Sequence, residues 1–410
     1  LVDNDRSPYV WKTDDYGQSW TKIVDGIPED DFIRAVREDP ARPGLLYAAS
    51  ERTVYVSWDD GAHWQSLGLN LPTVQVSDLV VEENDLVIGT HGRSFWVLYN
   101  IQPIREMSPD IASAEAHLFT PVAAYRGIDN GVEVFTNLAE AAESVTLEFV
   151  DSDGEVIASF TGAPEEDDEE EEGRRGGGGF FGGGQSRVAV DAGSHRFTWN
   201  MRHPGWTDFE GRIFWAASPL GPTALPGMYQ VRMTVDGGAP QAADFEIRVD
   251  PRLKGVTFAH LQERFNFAMQ IRDKVSEANQ AVIDIRRIKG DVDDRLEQTD
   301  NGEIEAQGET VKTNLSQVEQ EVYQVQNQSN QDPLNFPIKL NNKLAALLNH
   351  VEGEESRPTD QSYQVYESLS GLLQVELDRM IIILQSDLAR LNELLRQEGL
   401  DPIEVGELVS

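Results

Sequence analysis

Residues 13–20 and 57–64 of this chain carry one pattern twice: Thr13-Asp14-Asp15-Tyr16-Gly17-Gln18-Ser19-Trp20 and Ser57-Trp58-Asp59-Asp60-Gly61-Ala62-His63-Trp64 both read S/T-x-D-x-G-x-x-W. No other feature of the sequence constrains the backbone as tightly. The Asp is short enough to hydrogen-bond the backbone of its own turn, the Gly two residues on supplies a position at positive φ, and the closing Trp opens the next strand with a large apolar surface. Each copy therefore marks a hairpin turn. The stretch between the copies holds a few strands, so a small antiparallel sheet is expected to recur along the chain. Thr13, Asp15, Gly17 and Trp20, with Ser57, Asp59, Gly61 and Trp64, are thereby read as structural residues, with both Trp rings buried.

Short β-rich runs surround these turns. They fall at Val10 to Lys12, Ile33 to Arg37, Leu45 to Ala49, Val54 to Trp58, Leu79 to Val81, Leu86 to Ile88 and Ser94 to Leu98. In Gly89-Thr90-His91-Gly92-Arg93-Ser94-Phe95-Trp96, glycines on both sides of His91 mark a tight loop before an aromatic strand. His91 and Arg93 are the candidate ligand-contact residues there, against the plainer reading that they bridge neighbouring sheets.

On the two octets and the T-H-G-R turn, the chain resembles the Asp-box (BNR-type) β-propellers of the sialidase and sortilin kind, and in particular a large secreted bacterial family of Asp-box proteins. The resemblance implies terminal propeller blades over 1–103, an extracellular or periplasmic location, and a chain that begins inside a longer protein. Two boxes supply about two blades, where a closed propeller needs roughly 4–8. The start at Leu1-Val2-Asp3 has neither an initiator Met nor a signal segment.

Beyond this region, 104–118 reads as a linker, entered through Pro103 and carrying Pro109. Residues 119–250 are β-rich again, with clear alternation in Val145 to Val150 and in Tyr229 to Val235. The spacing suggests an immunoglobulin- or fibronectin-like sandwich. Gly193 to Asn200 followed by Leu225 to Tyr229 resembles the accessory sandwich of the same large family, which implies core positions for Trp199 and Tyr229. Trp206, Phe209, Phe214 and Trp215 are read as core filling of that sandwich in preference to a sugar-binding row. An acidic and glycine-rich run over 163–185 is expected to be a solvated, disordered insertion. Calcium is the one cation that run invites, and the D-x-D-x-D-G spacing that would aim its oxygens at one point is missing, so no resident cofactor or metal is expected.

After Pro251 the apolar period changes to steps of three and four. Leu261 to Leu296, Val311 to Val325, Leu340 to Val351 and Ser362 to Leu395 predict four amphipathic helices over 251–410, an antiparallel bundle or packed hairpins. Asn335 to Leu344 and Arg357 to Asp360 resemble the helical tail of the same family. The fold class expected is therefore mixed: β-propeller blades, an Ig-like sandwich and an α-helical bundle.

Charge narrows the partners. A formal net charge of −37 repels phosphate backbones, so nucleic-acid binding is not expected, and no apolar run reaches membrane-spanning length. The chain has no cysteine, which removes disulfides, thiolate metal sites and cysteine nucleophiles together. There is no G-x-S-x-G elbow, H-E-x-x-H pair or Walker loop. Glycosidases on propellers pair carboxylates drawn from several blades, and nothing in the spacing of Asp31, Glu82, Glu83 or His91 fixes such a geometry. The reading is a non-catalytic binding and scaffolding region whose partners are proteins, the remaining blades or a glycan. Its rivals are the accessory region of a sialidase-like glycoside hydrolase with catalytic residues upstream, and an accessory subunit of a larger assembly.

Overall fold

The structure, a computed structural model, describes residues 5–164 and 187–406. The acidic and glycine run read as an insertion lies, from residue 165 on, outside the described residues.

Three antiparallel sheets come first. A hairpin pairs β1 (Trp11–Lys12) with β2 (Thr21–Lys22). A four-stranded meander follows, β3 (Ile33–Glu38), β4 (Leu46–Ser50), β5 (Val54–Ser57) and β6 (Gln65–Ser66), and then a three-stranded one, β7 (Val76–Glu82), β8 (Asp85–Thr90) and β9 (Phe95–Leu98). Side chains on a strand alternate between faces. Tyr47, Ala49, Val54 and Val56 accordingly pack against Val76, Leu79, Leu86 and Ile88 of the next sheet. Leu46, Ala48 and Tyr55 point the other way, onto Ile27 and Trp64. β4 and β5 are therefore buried on both faces, the middle layer of a stack, and this is why their sequence reads as nearly continuous apolar residues.

The segment read as a linker is ordered and docked. It contains α1 (Gln102–Glu106), α2 (Pro109–Ala112) and β10 (Ala116–Leu118). Pro103 and Pro109, which mark the linker in the sequence, occupy the first turns of these helices, where a missing N–H costs nothing. The Arg42 guanidinium donates to the carbonyls of Ile104, Arg105 and Met107, closing the end of α1, and Trp58 Nε1 donates to Ile104 O at 2.8 Å.

Two further sheets share one core. β12 (Val132–Leu138) lies between β10 and β15 (Gly193–Trp199). Facing them is the five-stranded sheet β11–β17–β16–β13–β14, built from β11 (Ala124–Tyr125), β13 (Val145–Val150), β14 (Val156–Gly162), β16 (Gly227–Val235) and β17 (Gln241–Arg248). All its pairings are antiparallel except β11 with β17. Trp199 stacks on Phe149 with centroids 4.4 Å apart, and both are fully buried. Tyr229 packs beside them and donates its hydroxyl to Leu225 O at 2.8 Å, while burial pushes that phenol up to about 12.

The aromatic segment at 206–215 departs from expectation. Trp206 is buried in the helical core, and Phe209 and Phe214 pack against that core; none belongs to the sheet core, and Trp215 is exposed. Polar contacts set this placement: Tyr323 Oη accepts from Ile213 N, and Asn342 Oδ1 from Trp215 N at 2.7 Å.

The remainder is helical: α3 (Phe258–Leu296), α4 (Gly302–Val322), α5 (Leu340–Glu352), α6 (Asp360–Ile383) and α7 (Ala389–Glu398), with a π-helical turn over Leu384–Leu388 joining the last two. Thr257 caps α3, accepting from His260 N. α4 stops at Val322, since Tyr323 is extended, and Val325, expected on its apolar stripe, is exposed beyond it. Gly308 lets α4 approach α3, for a Cβ there would lie 2.9 Å from Leu296.

Candidate functional site

The two octets have one hydrogen-bond pattern. Thr13 Oγ1 accepts from Gly17 N at 2.8 Å and Asp15 Oδ1 from Ser19 N at 2.8 Å; Ser57 Oγ accepts from Gly61 N at 2.9 Å and Asp59 Oδ1 from His63 N at 2.9 Å. In each, the hydroxyl also donates to the Asp carboxylate, so the hydroxyl and this carboxylate both serve their own turn. Gly17 and Gly61 both sit near φ +90°, at +90° and +86°. The backbone and hydroxyl hydrogens of Ser19 hold the Asp15 carboxyl down to about 2. In the second copy burial pushes Asp59 up, but its bonds from the His63 backbone and ring prevail and lower it, and His63 is raised in return.

The closing tryptophans diverge. Trp64 is 4% exposed and donates to Ile23 O, whereas Trp20 is 55% exposed, its ring lying beside Gly17, against the expectation that both are buried. The difference follows from the sheets: Trp64 closes a turn against the segment around Ile27, and Trp20 sits on a hairpin of two short strands. His91 and Arg93 are both exposed on the β8–β9 turn, where Arg93 O accepts from Trp96 Nε1. Asp31, considered beside them, is buried instead, accepting from Ser50 Oγ and Tyr55 Oη at 3.0 and 2.8 Å.

A broad concavity lies elsewhere. Two open cavities of about 670 and 610 Å³ share Asp129, Asn130 and Thr198 in their walls and make one groove. One end is lined by Glu82, Glu83 and Tyr99 from the first sheets, the other by Thr223, Arg202 and the Glu352–Glu355 segment at and just beyond the end of α5, so all three parts of the chain contribute. Arg105 fixes the first wall, donating to Glu83 O at 2.6 Å and Asn84 Oδ1 at 2.8 Å while its Nε meets Asp39 at 2.9 Å. The carboxylates deeper in the groove are engaged: Asp129 accepts from Tyr125 N, Asp85 from Asn100 N, and Glu133 from Asn100 Nδ2 and Arg196. They hold loops in place. Among the described residues no group of three or more His, Cys, Asp or Glu is placed to hold a metal ion.

Below the second end lies a buried ionic junction. Glu355 Oε1 accepts from Arg126 Nη2 and from Arg264 Nη2, each at 3.1 Å, and both arginines are buried. Arg126 also donates to Ala224 O and Arg264 to Glu354 O. Glu352 Oε2 takes Thr223 N and Oγ1 at 2.9 and 2.8 Å and Arg202 at 3.1 Å. Burial lowers Arg126, with Glu355 opposing the shift. This cluster escaped the sequence reading, although one sign was present: Arg264 stands three residues after Leu261 on the buried side of α3, a charge inside an apolar stripe.

The sequence matches no family model and no curated protein. Among solved structures it is similar to the extracellular domain of a putative one-component system from B. thetaiotaomicron, at 8% identity over 61% of this chain and 32% of that one, with a TM-score of 0.19. It is also similar to Pseudomonas fluorescens alkylpurine DNA glycosylase AlkC, at 14% identity over 34% of this chain and 32% of that one, TM-score 0.17, and to an ancestral GH74 enzyme, at 12% identity over 58% and 38%, TM-score 0.16. The chain spans about a third of the length of these structures. Likenesses of this size establish neither a shared fold nor a shared activity.

Proposed function

We propose that this chain is a non-catalytic binding and scaffolding region of an exported Asp-box β-propeller protein, in which the first sheets are terminal blades, the paired sheets an Ig-like sandwich and the helices a supporting bundle. The stacked β4–β5 sheet and the identical hydrogen bonding of the two octets support the blades. The Trp199 stack and the Tyr229 hydroxyl bonded four residues upstream support the sandwich.

The groove carries the functional reading. It is assembled from all three parts, and its carboxylates Asp129, Asp85 and Glu133 are bonded to backbone and side-chain donors, roles that hold the walls in place. A surface of this kind, with exposed Tyr99 and Ile128 on its rim, suits a protein partner. Purified chain is expected to show no turnover of aryl-glycosides, sialosides or peptides. Turnover that disappears on changing Asp15, Asp59, Glu82 or His91 would replace this reading with the hydrolase.

A further inference from the structure

The outer face of α6 carries a seam that nothing within the described chain covers. Val365, Leu372, Val375 and Ile382 are 46%, 53%, 62% and 62% exposed. With Ser368 and Arg379 they recur at steps of 3, 4, 3, 4 and 3, the a and d positions of a heptad. The inner face of the same helix has its own apolar row, Leu373, Leu377, Met380 and Ile383, buried in the bundle. Packing among the described residues therefore does not account for the outer row.

Gly371 is a second, independent sign. It lies in the middle of α6, exposed, and a Cβ there would meet nothing within 4 Å. A mid-helix glycine costs about 1 kcal/mol relative to alanine, and neither backbone geometry nor an internal contact requires one here. Small residues on a helix face allow another helix to come close.

We propose that α6 pairs with α6 of a second copy of this chain, antiparallel, about a two-fold axis between Leu372 and Val375. In an antiparallel pair, a positions face d positions. This register sets Val365 against Ile382 of the second copy, Leu372 against its Val375, and Ser368 against its Arg379, each pairing occurring twice by symmetry. The small side of the seam, Ser368 with Gly371, receives the one long side chain in it. Glu367, exposed and without an ion pair among the described residues, then lies beside Arg379 of the second copy, which complements its charge. Within its own chain Arg379 donates to Gln317 and lies 3.8 Å from Glu376, which leaves donors of its guanidinium for this contact.

The seam ends where the π-helical turn begins at Leu384, which rotates the following residues off the line. From Val365 to Ile382 it is about 26 Å long, and one helix pair of that length falls at the small end of specific interfaces, below about 1,200 Å². Two chains of net charge −37 also repel each other. The dimer is consequently weak and strengthens with salt, since at ~1 M ionic strength the screening length shrinks to about 3 Å.

Sedimentation equilibrium of the full chain, from micromolar to several hundred micromolar and at ~0.05 M and ~1 M salt, tests the pairing. The mass is expected to double at high protein and high salt, and the double variant Leu372→Asp/Val375→Asp to weaken association by at least ~10-fold with an unchanged circular dichroism melt, because both positions are exposed. A monomer under all conditions, or a dimer that survives the double variant, overturns the proposal. Because the chain has no cysteine, the register is testable by cross-linking. Val365→Cys and Ile382→Cys should each fail to link to themselves yet link to each other when mixed, and self-linking of either variant alone overturns the antiparallel register.

Discussion

Replacing Glu355 by alanine should loosen the helices from the sheets they support. The carboxylate stands between the guanidiniums of Arg126 and Arg264, at 3.1 Å from each, with both arginines buried and the Glu355 side chain 18% exposed. At charge separations near 4 Å and an effective dielectric of about 20, each contact is worth about 4 kcal/mol before desolvation is counted. Burying three charges costs several kcal/mol per ion, so the intact cluster contributes little net stability. Its removal is different. Without Glu355 the two cations keep their burial and lose their shared partner, and the nearest remaining carboxylate is Glu352, whose Oε1 lies 3.9 Å from Arg264 Nε. The expected loss is about 3–5 kcal/mol. For a cooperative unit of about 150–250 residues, 1 kcal/mol moves the melting temperature by about 2–4 °C, so a drop of at least about 6 °C should appear in calorimetry. Glu355→Gln, which keeps an acceptor, should fall between the two. Arg357→Ala is the control, because it breaks an exposed, solvent-screened pair with Glu263 at 2.8 Å and should leave the melting temperature close to the parent's. If Glu355→Ala melts within about 2 °C of the parent, the cluster does not join the parts as argued.

Gly17→Ala and Gly61→Ala both place a side chain at positive φ, for about 1–2 kcal/mol each, but at Gly61 the new Cβ also overlaps Ile23 while at Gly17 its nearest neighbour is the Trp20 ring at 3.8 Å; urea unfolding should rank Gly61→Ala as the more damaging. Asp15 should titrate at about 2 by carboxyl ¹³C NMR, and because its folded value is depressed its contribution is present above the ordinary carboxylate range and lost as pH falls towards 2; Ser19→Ala should raise the midpoint. His63 should titrate above about 6.5 because Asp59 accepts from its ring, so its contribution is full below the unfolded value and fades as pH rises through the folded one; Asp59→Asn should return the imidazole midpoint towards the ordinary value.

What the sequence disclosed follows the range over which each feature is determined. The octets were legible because Thr13, Asp15 and Gly17, like Ser57, Asp59 and Gly61, satisfy one another within eight residues. Their tryptophans show where that legibility stops: the same position is buried at Trp64 and open at Trp20, since burial depends on which sheet lies above the turn. Helical periodicity located α3 to α7 well, but it also carried α4 past Val322, because nothing local announces that Gln324 will turn to donate to Pro337 O. The aromatic segment at 206–215 was given to the wrong core for the same reason. Its partners Asn279, Tyr323 and Asn342 lie 72 to 127 residues away. Arg126, Arg264 and Glu355 are the extreme case, a cluster whose members are separated by up to 229 residues and meet only when sheets and helices dock. A lone charge in an apolar stripe, as at Arg264, is the trace such a junction leaves in a sequence: it shows that a buried partner must exist and gives no means of finding which carboxylate it is.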